Sequence, residues 1–260
     1  EEDSIGDKVR NMLGLDYPED LVQIIVASDG SSDRTIDILN SFSDPRLTVL
    51  DLPRGGKAAA LNAGIEYCSG DILVFSDANS MFGNEALRAL AAPFADPRVG
   101  GVAGDQRYLK GGTQSTANAG ERSYWNFDRC MKHWQTLAGN VTSATGAIYA
   151  IRRSLFSRVP EGVTDHFATS TQVIAKGRRL VFAVDAVAYE PVAASSGVEF
   201  GRKVRVITRG LRGVLHMRTL LNPLRHGFYS VQLFSHKVLR RQTVFPLLAL
   251  LITSIVLADV

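Results

Sequence analysis

The sequence predicts an α/β fold, and three observations predict it. Short apolar runs at 22–27, 47–52 and 72–75 have the length and β-branched content of buried strands. Each ends in a polar turn: Ser28-Asp29-Gly30-Ser31-Ser32-Asp33, Pro53-Arg54-Gly55-Gly56, and Ser76-Asp77-Ala78-Asn79. Segments of helical spacing lie between them. Strand, polar turn and helix in alternation is the βαβ pattern, whose ligands bind beyond the carboxyl ends of the strands. Asp29, Lys57 and Asp77 all fall there.

An amphipathic helix is expected from about Ser4 to Leu13, followed by the turn Asp16-Tyr17-Pro18-Glu19-Asp20. Residues 34–42 read as a helix closed by Ser43-Asp44-Pro45. Lys57 to Tyr67 place alanines, Leu61 and Ile65 at helical spacing, with Gly64 costing about 1 kcal/mol of propensity. Asn84 caps a predicted helix that Pro93 helps to end. A glycine-rich strand is predicted at 99–104, a polar stretch at 109–118, and an aromatic-laden helix at 121–137. A strand at 148–151, a helix at 167–176 stopped by Gly177, and a strand at 180–184 complete the α/β region.

At 260 residues and 45% hydrophobic content the chain is long enough to bury a sizeable core. Its net charge of +3 hides an asymmetry. Residues 1–200 carry 19 basic and 25 acidic side chains, whereas 201–260 carry 10 basic and one acidic. A basic segment before an apolar run, Val244 to Val260, suits an anionic membrane surface rather than a nucleic acid. That run is expected to begin a spanning helix, since about 20 apolar residues are needed to cross a bilayer. Two cysteines, Cys68 and Cys130, support neither a disulfide framework nor a zinc cluster.

The ordered series Ser-Asp-Gly-Ser-Ser-Asp (28–33), Gly-Gly-Lys-Ala-Ala-Ala-Leu-Asn-Ala-Gly (55–64) and Asp-Ala-Asn (77–79) resembles the inverting family 2 glycosyltransferases. The resemblance implies a GT-A fold, a mixed and mostly parallel sheet flanked by helices. It also implies a first strand ahead of the opening helix, which this sequence lacks. The expected organisation is a catalytic domain at 1–200, a basic membrane-proximal segment at 201–243, and the start of a transmembrane helix at 244–260. The protein is then expected at a bacterial inner membrane, with its catalytic domain cytoplasmic.

The implied donor is a nucleotide-diphosphate sugar, with a UDP-sugar favoured, and the implied acceptor a saccharide or a lipid-linked saccharide. The lipid bilayer is a further expected partner, and nucleic acid is not. A leaving diphosphate requires a divalent ion, basic groups or both. Asp77 and Asn79, one residue apart, offer oxygen ligands to Mg²⁺ or Mn²⁺, although Asn79 stands where the family has a second acid. By the same resemblance Asp29 contacts the nucleoside, while Lys57 and Arg205 serve the base or phosphates. A P-loop is excluded because Ala58 follows Lys57.

The acceptor side departs from the family. Its catalytic acid, counted back from Gly177, falls on His166, with Asp165 before it. Three readings stay open: His166 as base, Asp165 as base, or an impaired site. The working reading is a pair, Asp165 with His166. Arg202 and Val206 replace the glutamine and tryptophan of processive relatives, while Arg205 keeps the arginine. Asp105, Gln106, Glu121 and Trp125 are weaker acceptor candidates. The rival reading is a catalytically impaired module that binds a nucleotide sugar within a membrane complex.

Overall fold

The amphipathic opening segment forms α1 (Glu2–Leu13), which buries Ile5 and Val9 one turn apart. They meet Leu39 of α2 (Thr35–Asn40), with Val26, Leu47 and Val49 packed around them. The computed structural model describes the backbone of residues 1–108, 116–191 and 196–258, and their side chains except those of 116–126, 196–199, 202–203, 256 and 258.

Strand β1 (Ile24–Asp29) pairs in parallel with β2 (Leu47–Leu52), in register from Ile24 opposite Leu47 to Asp29 opposite Leu52. Helix α3 (Lys57–Glu66) follows and packs on β1. A second sheet has the order β3-β6-β5-β7-β4. Its members are β3 (Ile72–Phe75), β4 (Met81–Phe82), β5 (Val99–Tyr108), β6 (Tyr149–Arg152) and β7 (Arg179–Glu190). Helices α4 (Ala86–Ala91), α5 (Thr116–Leu137) and α6 (Asp165–Ala175) connect them.

The architecture is mixed, as expected: β1 and β2 run parallel, and β3, β5 and β7 share one direction in the larger sheet. Among the described ladders only β1–β2 and β5–β7 are parallel. Strand β6 enters between β3 and β5 from the opposite end and runs antiparallel to both, and β4 runs antiparallel to β7. Successive residues of a strand face opposite sides. Tyr149 and Ile151 of β6 accordingly join one core with Leu73, Phe75, Phe167 and Val173. Ile148 and Ala150 join another with Phe82, Leu90 and Val102.

Five elements differ from the sequence reading. The two residues of β4 are too few to show an alternation. Strands β5 and β7 each run several residues past the predicted ends, through polar residues that find partners in the fold. Helix α6 begins at Asp165 rather than Phe167, and α5 at Thr116 rather than 121.

The C-terminal third also corrects an expectation. Val214, Leu220, Tyr229 and Leu233 belong to the same buried cluster as Leu73 and Phe75. They lie on α7 (Ser196–His216), the turn at 218–221, and α9 (Phe228–Leu233), with the short α8 (Pro223–His226) between. The boundary placed at residue 200 therefore marks a change of charge, not the edge of a core. A π-helical turn (Phe234–Val238) and a 3₁₀ turn (Leu239–Gln242) lead into α10 (Val244–Ala258), whose described side chains are all exposed. Among the described residues no single helix is long and apolar enough to cross a membrane. The pair Phe228–Gln242 and Val244–Ile255, bent by 44°, passes that test together.

Candidate active site

The site forms where strand ends of the two sheets meet the start of α6. Asp29 is the last residue of β1, and its Oδ1 accepts hydrogen bonds from the backbone N–H groups of Gly55 (2.7 Å) and Gly56 (2.8 Å). It thereby orders the glycine turn that delivers Lys57 to the first position of α3. Lys57 Nζ forms a short ion pair with Asp77 Oδ1 and reaches Asp165 Oδ2 at 3.1 Å. Three sequence-predicted residues from three elements thus share one charge centre.

His166 adjoins it. Its Nδ1 lies 4.0 Å from Asp165 Oδ1, beyond hydrogen-bond range. Gly146 closes the arrangement. A Cβ there would stand 2.8 Å from Asp77 Oδ2 and 3.2 Å from His166 Nδ1, so glycine leaves room for both side chains to come close.

Burial opposes the charge of Lys57, yet Asp77 and Asp165 together hold its ammonium above its ordinary range. Burial likewise works against an ionised Asp165, but Lys57 and then His166 draw its carboxyl below the ordinary value. His166 goes the other way. Burial lowers it to about 4 despite the nearby Asp165, so the imidazole is neutral at neutral pH. Beneath the site Tyr149 stacks on Phe75, with ring centroids 4.6 Å apart, and fixes the strand that ends at Ser76-Asp77.

The oxygen donors fit a hard divalent ion. Two carboxylates already converge on a cation, here an ammonium, and Asn79, two residues after Asp77, is exposed. Among the described residues no group of three or more His, Cys, Asp or Glu makes an all-protein cage. Mg²⁺ and Mn²⁺ are commonly held by one or two carboxylates plus substrate phosphates.

Other candidates are placed differently. Asp105 is buried and accepts from Arg107 Nε (2.8 Å) and Arg129 Nε (2.9 Å), so it ties α5 to β5. Gln106 donates to Glu190 Oε2 at 2.6 Å. Both are scaffold contacts here. Arg205 is exposed on α7, and no described ion pair joins it to the charge centre. The side chains of Glu121 and Trp125 lie outside the described residues.

Sequence reasoning missed Lys8. This lysine is buried, donates to Ser76 Oγ at 2.7 Å and to the Ser80 carbonyl, and sits over the Phe82 ring at 4.2 Å. It clamps both ends of the turn that carries Asp77 and Asn79. The available signal was its position on the buried stripe of α1, between Ile5 and Val9. Ser80 and Glu190 complete the support through a 2.6 Å hydrogen bond.

A family-wide sequence profile described as glycosyl transferase family 2 matches residues 1–159, more than half of the chain. The chain belongs to glycosyl transferase family 2. Among curated relatives, the poly-β-1,6-N-acetyl-D-glucosamine synthase of Staphylococcus aureus (strain MSSA476) is 30% identical over 200 residues, covering 74% of this chain and 46% of the relative. The Staphylococcus epidermidis enzyme of the same name is 29% identical over 197 residues, with the same coverage. This family 2 chain therefore spans about half the length of the curated relatives it matches.

The mannosyltransferase PcManGT from Pyrobaculum calidifontis, solved with GDP-Man and Mn²⁺, superposes with a TM-score of 0.74 at 22% identity, covering 100% of this chain and 78% of the other. Staphylococcus aureus TarS 1–349 with UDP-GlcNAc gives 0.55 at 15% identity, covering 76% and 57%. These likenesses establish the GT-A fold of the family 2 domain.

Proposed function

We propose that this family 2 domain transfers a sugar, with inversion, from a nucleotide-diphosphate sugar to a saccharide or lipid-linked acceptor in cell-surface polysaccharide synthesis. The observation that carries the reading is the Lys57 ammonium shared by Asp77 and Asp165, with His166 beside them around Gly146. Asp29 and the glycine turn it orders face the nucleoside, and a UDP-sugar is the favoured donor. Asp77 and Asn79 would hold Mg²⁺ or Mn²⁺ together with the donor phosphates. When bound, that ion supplies charge neutralisation for the leaving diphosphate.

Lys57 is the mobile cation of the scheme. A diphosphate draws the ammonium toward itself and away from Asp165. Burial, which raises the Asp165 pKa, is then less opposed, and the carboxylate becomes a better base. Asp165 takes the proton of the acceptor hydroxyl as its oxygen bonds to the anomeric carbon. The bond from that carbon to the diphosphate breaks, and its electron pair leaves with the phosphate oxygen. His166, neutral and adjacent, completes the working pair by orienting the acceptor hydroxyl.

The basic segment and the apolar α10 support a bilayer as partner. The domain would then lie on the cytoplasmic face of a bacterial membrane. The test is sugar transfer by the membrane-bound protein across a panel of UDP- and GDP-sugars, with and without Mn²⁺, for wild type and Asp77→Ala. Transfer that needs the ion and vanishes in the variant is expected. Equal donor affinity in both proteins would remove Asp77 from the donor site. Donor binding without transfer from any donor would favour the impaired module, for which His166 in place of an acid is the specific argument.

A further inference from the structure

A second concentration of charge lies outside the active site, where α5 and α7 meet the turns between α9 and α10. Lys132, Lys237, Arg240 and Arg241 gather there, and the acid facing them among the described residues is Asp128. Asp128 is already paired with Lys132 at 2.8 Å. Lys132 stands over the Phe182 ring at 5.6 Å and Lys237 over Phe167 at 5.9 Å. Gln135 of α5 approaches His236 at 3.5 Å, joining the two sides.

Arg241 is the telling member. Its guanidinium lies directly on the backbone of α7 at Gly210, where a Cβ would collide with three of its atoms. The glycine thus opens a seat for a planar cation. Its Nη1 is buried and has no hydrogen-bond partner among the described residues. A charged donor taken out of water without an acceptor is unfavourable, and the neighbouring cations add to that. In the same turns a hollow of about 340 Å³ is lined by Ser235, His236, Leu239, Arg240 and Thr243, which offer hydroxyl and further basic groups.

We propose that this junction binds a phosphate group. A tetrahedral oxyanion matches a guanidinium fork and nearby ammonium groups. The location gives the site a role. Lys237 rests on Phe167, the residue after His166, so a bound phosphate lies on the acceptor flank of the catalytic pair. The exposed apolar residues Phe234, Leu239 and Phe245 begin at the same place, which points to the phosphodiester of an anionic lipid as its source. Only that choice of source rests on the bilayer reading above; phosphate recognition does not.

The test follows thermal unfolding of the purified protein in neutral detergent. The probes are inorganic phosphate, pyrophosphate, and lipid nanodiscs of phosphatidylcholine with or without phosphatidylglycerol. The proteins are wild type, Arg241→Gln, Lys237→Gln, Arg241→Lys and Asp77→Ala. A ligand that binds the folded state raises the midpoint in a concentration-dependent way. Wild type and Asp77→Ala are expected to respond alike, Arg241→Gln and Lys237→Gln to need roughly tenfold more anion or above, and Arg241→Lys to recover part of the response.

Stabilisation by phosphatidylglycerol discs alone assigns a lipid source. Stabilisation by phosphate or pyrophosphate assigns a soluble one. Both uphold the site. An unresponsive wild type overturns it, as do variants that respond like wild type. A response lost in Asp77→Ala but kept in Arg241→Gln places the anion in the donor site and overturns it as well. Should Arg241→Gln not fold, the partly exposed Lys237→Gln carries the comparison. None of these readouts requires sugar transfer, so failure of the transferase reading is told apart from failure of this site.

Discussion

The proposed donor half and the proposed acceptor half of this domain are built on different plans. On the donor side Asp29, Lys57 and Asp77 each sit at or just beyond the end of a strand or its following turn, in chain order. Each is carried by its own strand-turn segment, although Asp29 and Lys8 help to hold the turns that carry Lys57 and Asp77. On the acceptor side the surroundings of Asp165 and His166 come from distant parts of the chain: Gly146 before β6, the Tyr149 floor, Lys57 from α3, and Lys237 from beyond α9. Local motifs can specify the first plan. The second exists only once the chain has packed.

The largest effect that tests this contrast is on turnover. Asp165→Asn is expected to lower the rate at saturating donor by on the order of 10² to 10⁴, the usual worth of a positioned base. His166→Ala should cost less, because the imidazole is already neutral above about pH 4. The wild-type pH profile should correspondingly lack a histidine step near pH 6.5. Donor affinity should barely change in either variant. Turnover close to wild type in Asp165→Asn would take the carboxylate out of the mechanism.

The next effect joins the two halves. Lys57→Met removes the cation that neutralises both Asp77 and Asp165. Donor affinity should fall roughly 10- to 100-fold, the value of one or two charge-assisted hydrogen bonds. Mn²⁺ affinity without donor should rise, because two carboxylates are released. Calorimetric titration of each separately checks the signs. A fall in both would mean that Lys57 supports the loop rather than competing for its carboxylates.

These halves also differed in how far the sequence disclosed them. The strand-turn-helix pattern and the order of Asp29, Gly55-Gly56-Lys57 and Asp77 were legible because each signal spans a few adjacent residues. Lys8 was not, because a lysine on a helix reads as solvated until Ser76 and Ser80, about seventy residues later, close over it. The partners of Asp105 and Gln106 were hidden for the same reason. Their bonds run to Arg129 and Glu190, which come from other elements. The depressed titration of His166 follows from burial, which no local motif records.

Lys8 gives a prediction in stability rather than rate. Burial lowers its ammonium to about 7, against the pull of Asp77 and Glu190. An unfolded lysine titrates at about 10.4. Between those values the unfolded chain holds a proton that the native one does not. Stability from this group therefore rises with pH in that window, by at most about 1.4 kcal/mol per pH unit, and its penalty is fully present below about pH 7. Denaturant unfolding at about pH 8 and about pH 9 should show this slope in wild type and lose it in Lys8→Met. A slope unchanged by the substitution would assign it to other groups.

The smallest expected effect asks whether the C-terminal helices belong to the acceptor half. Tyr229 of α9 is buried and donates its hydroxyl to the Thr142 carbonyl at 2.8 Å, in the segment leading to Gly146. Tyr229→Phe keeps the ring in its core and removes only that bond. A buried carbonyl left without its donor costs about 1 kcal/mol, so denaturant unfolding should show a loss of that size with an unchanged slope. The more informative readout is the split between substrates. If α9 holds the Thr142–Gly146 segment against Asp77 and His166, acceptor KM should rise while donor affinity stays constant. If stability falls with no change in acceptor KM, the hydrogen bond serves the core alone. The acceptor half would then end at α6, leaving the basic C-terminal helices as cladding on a finished site.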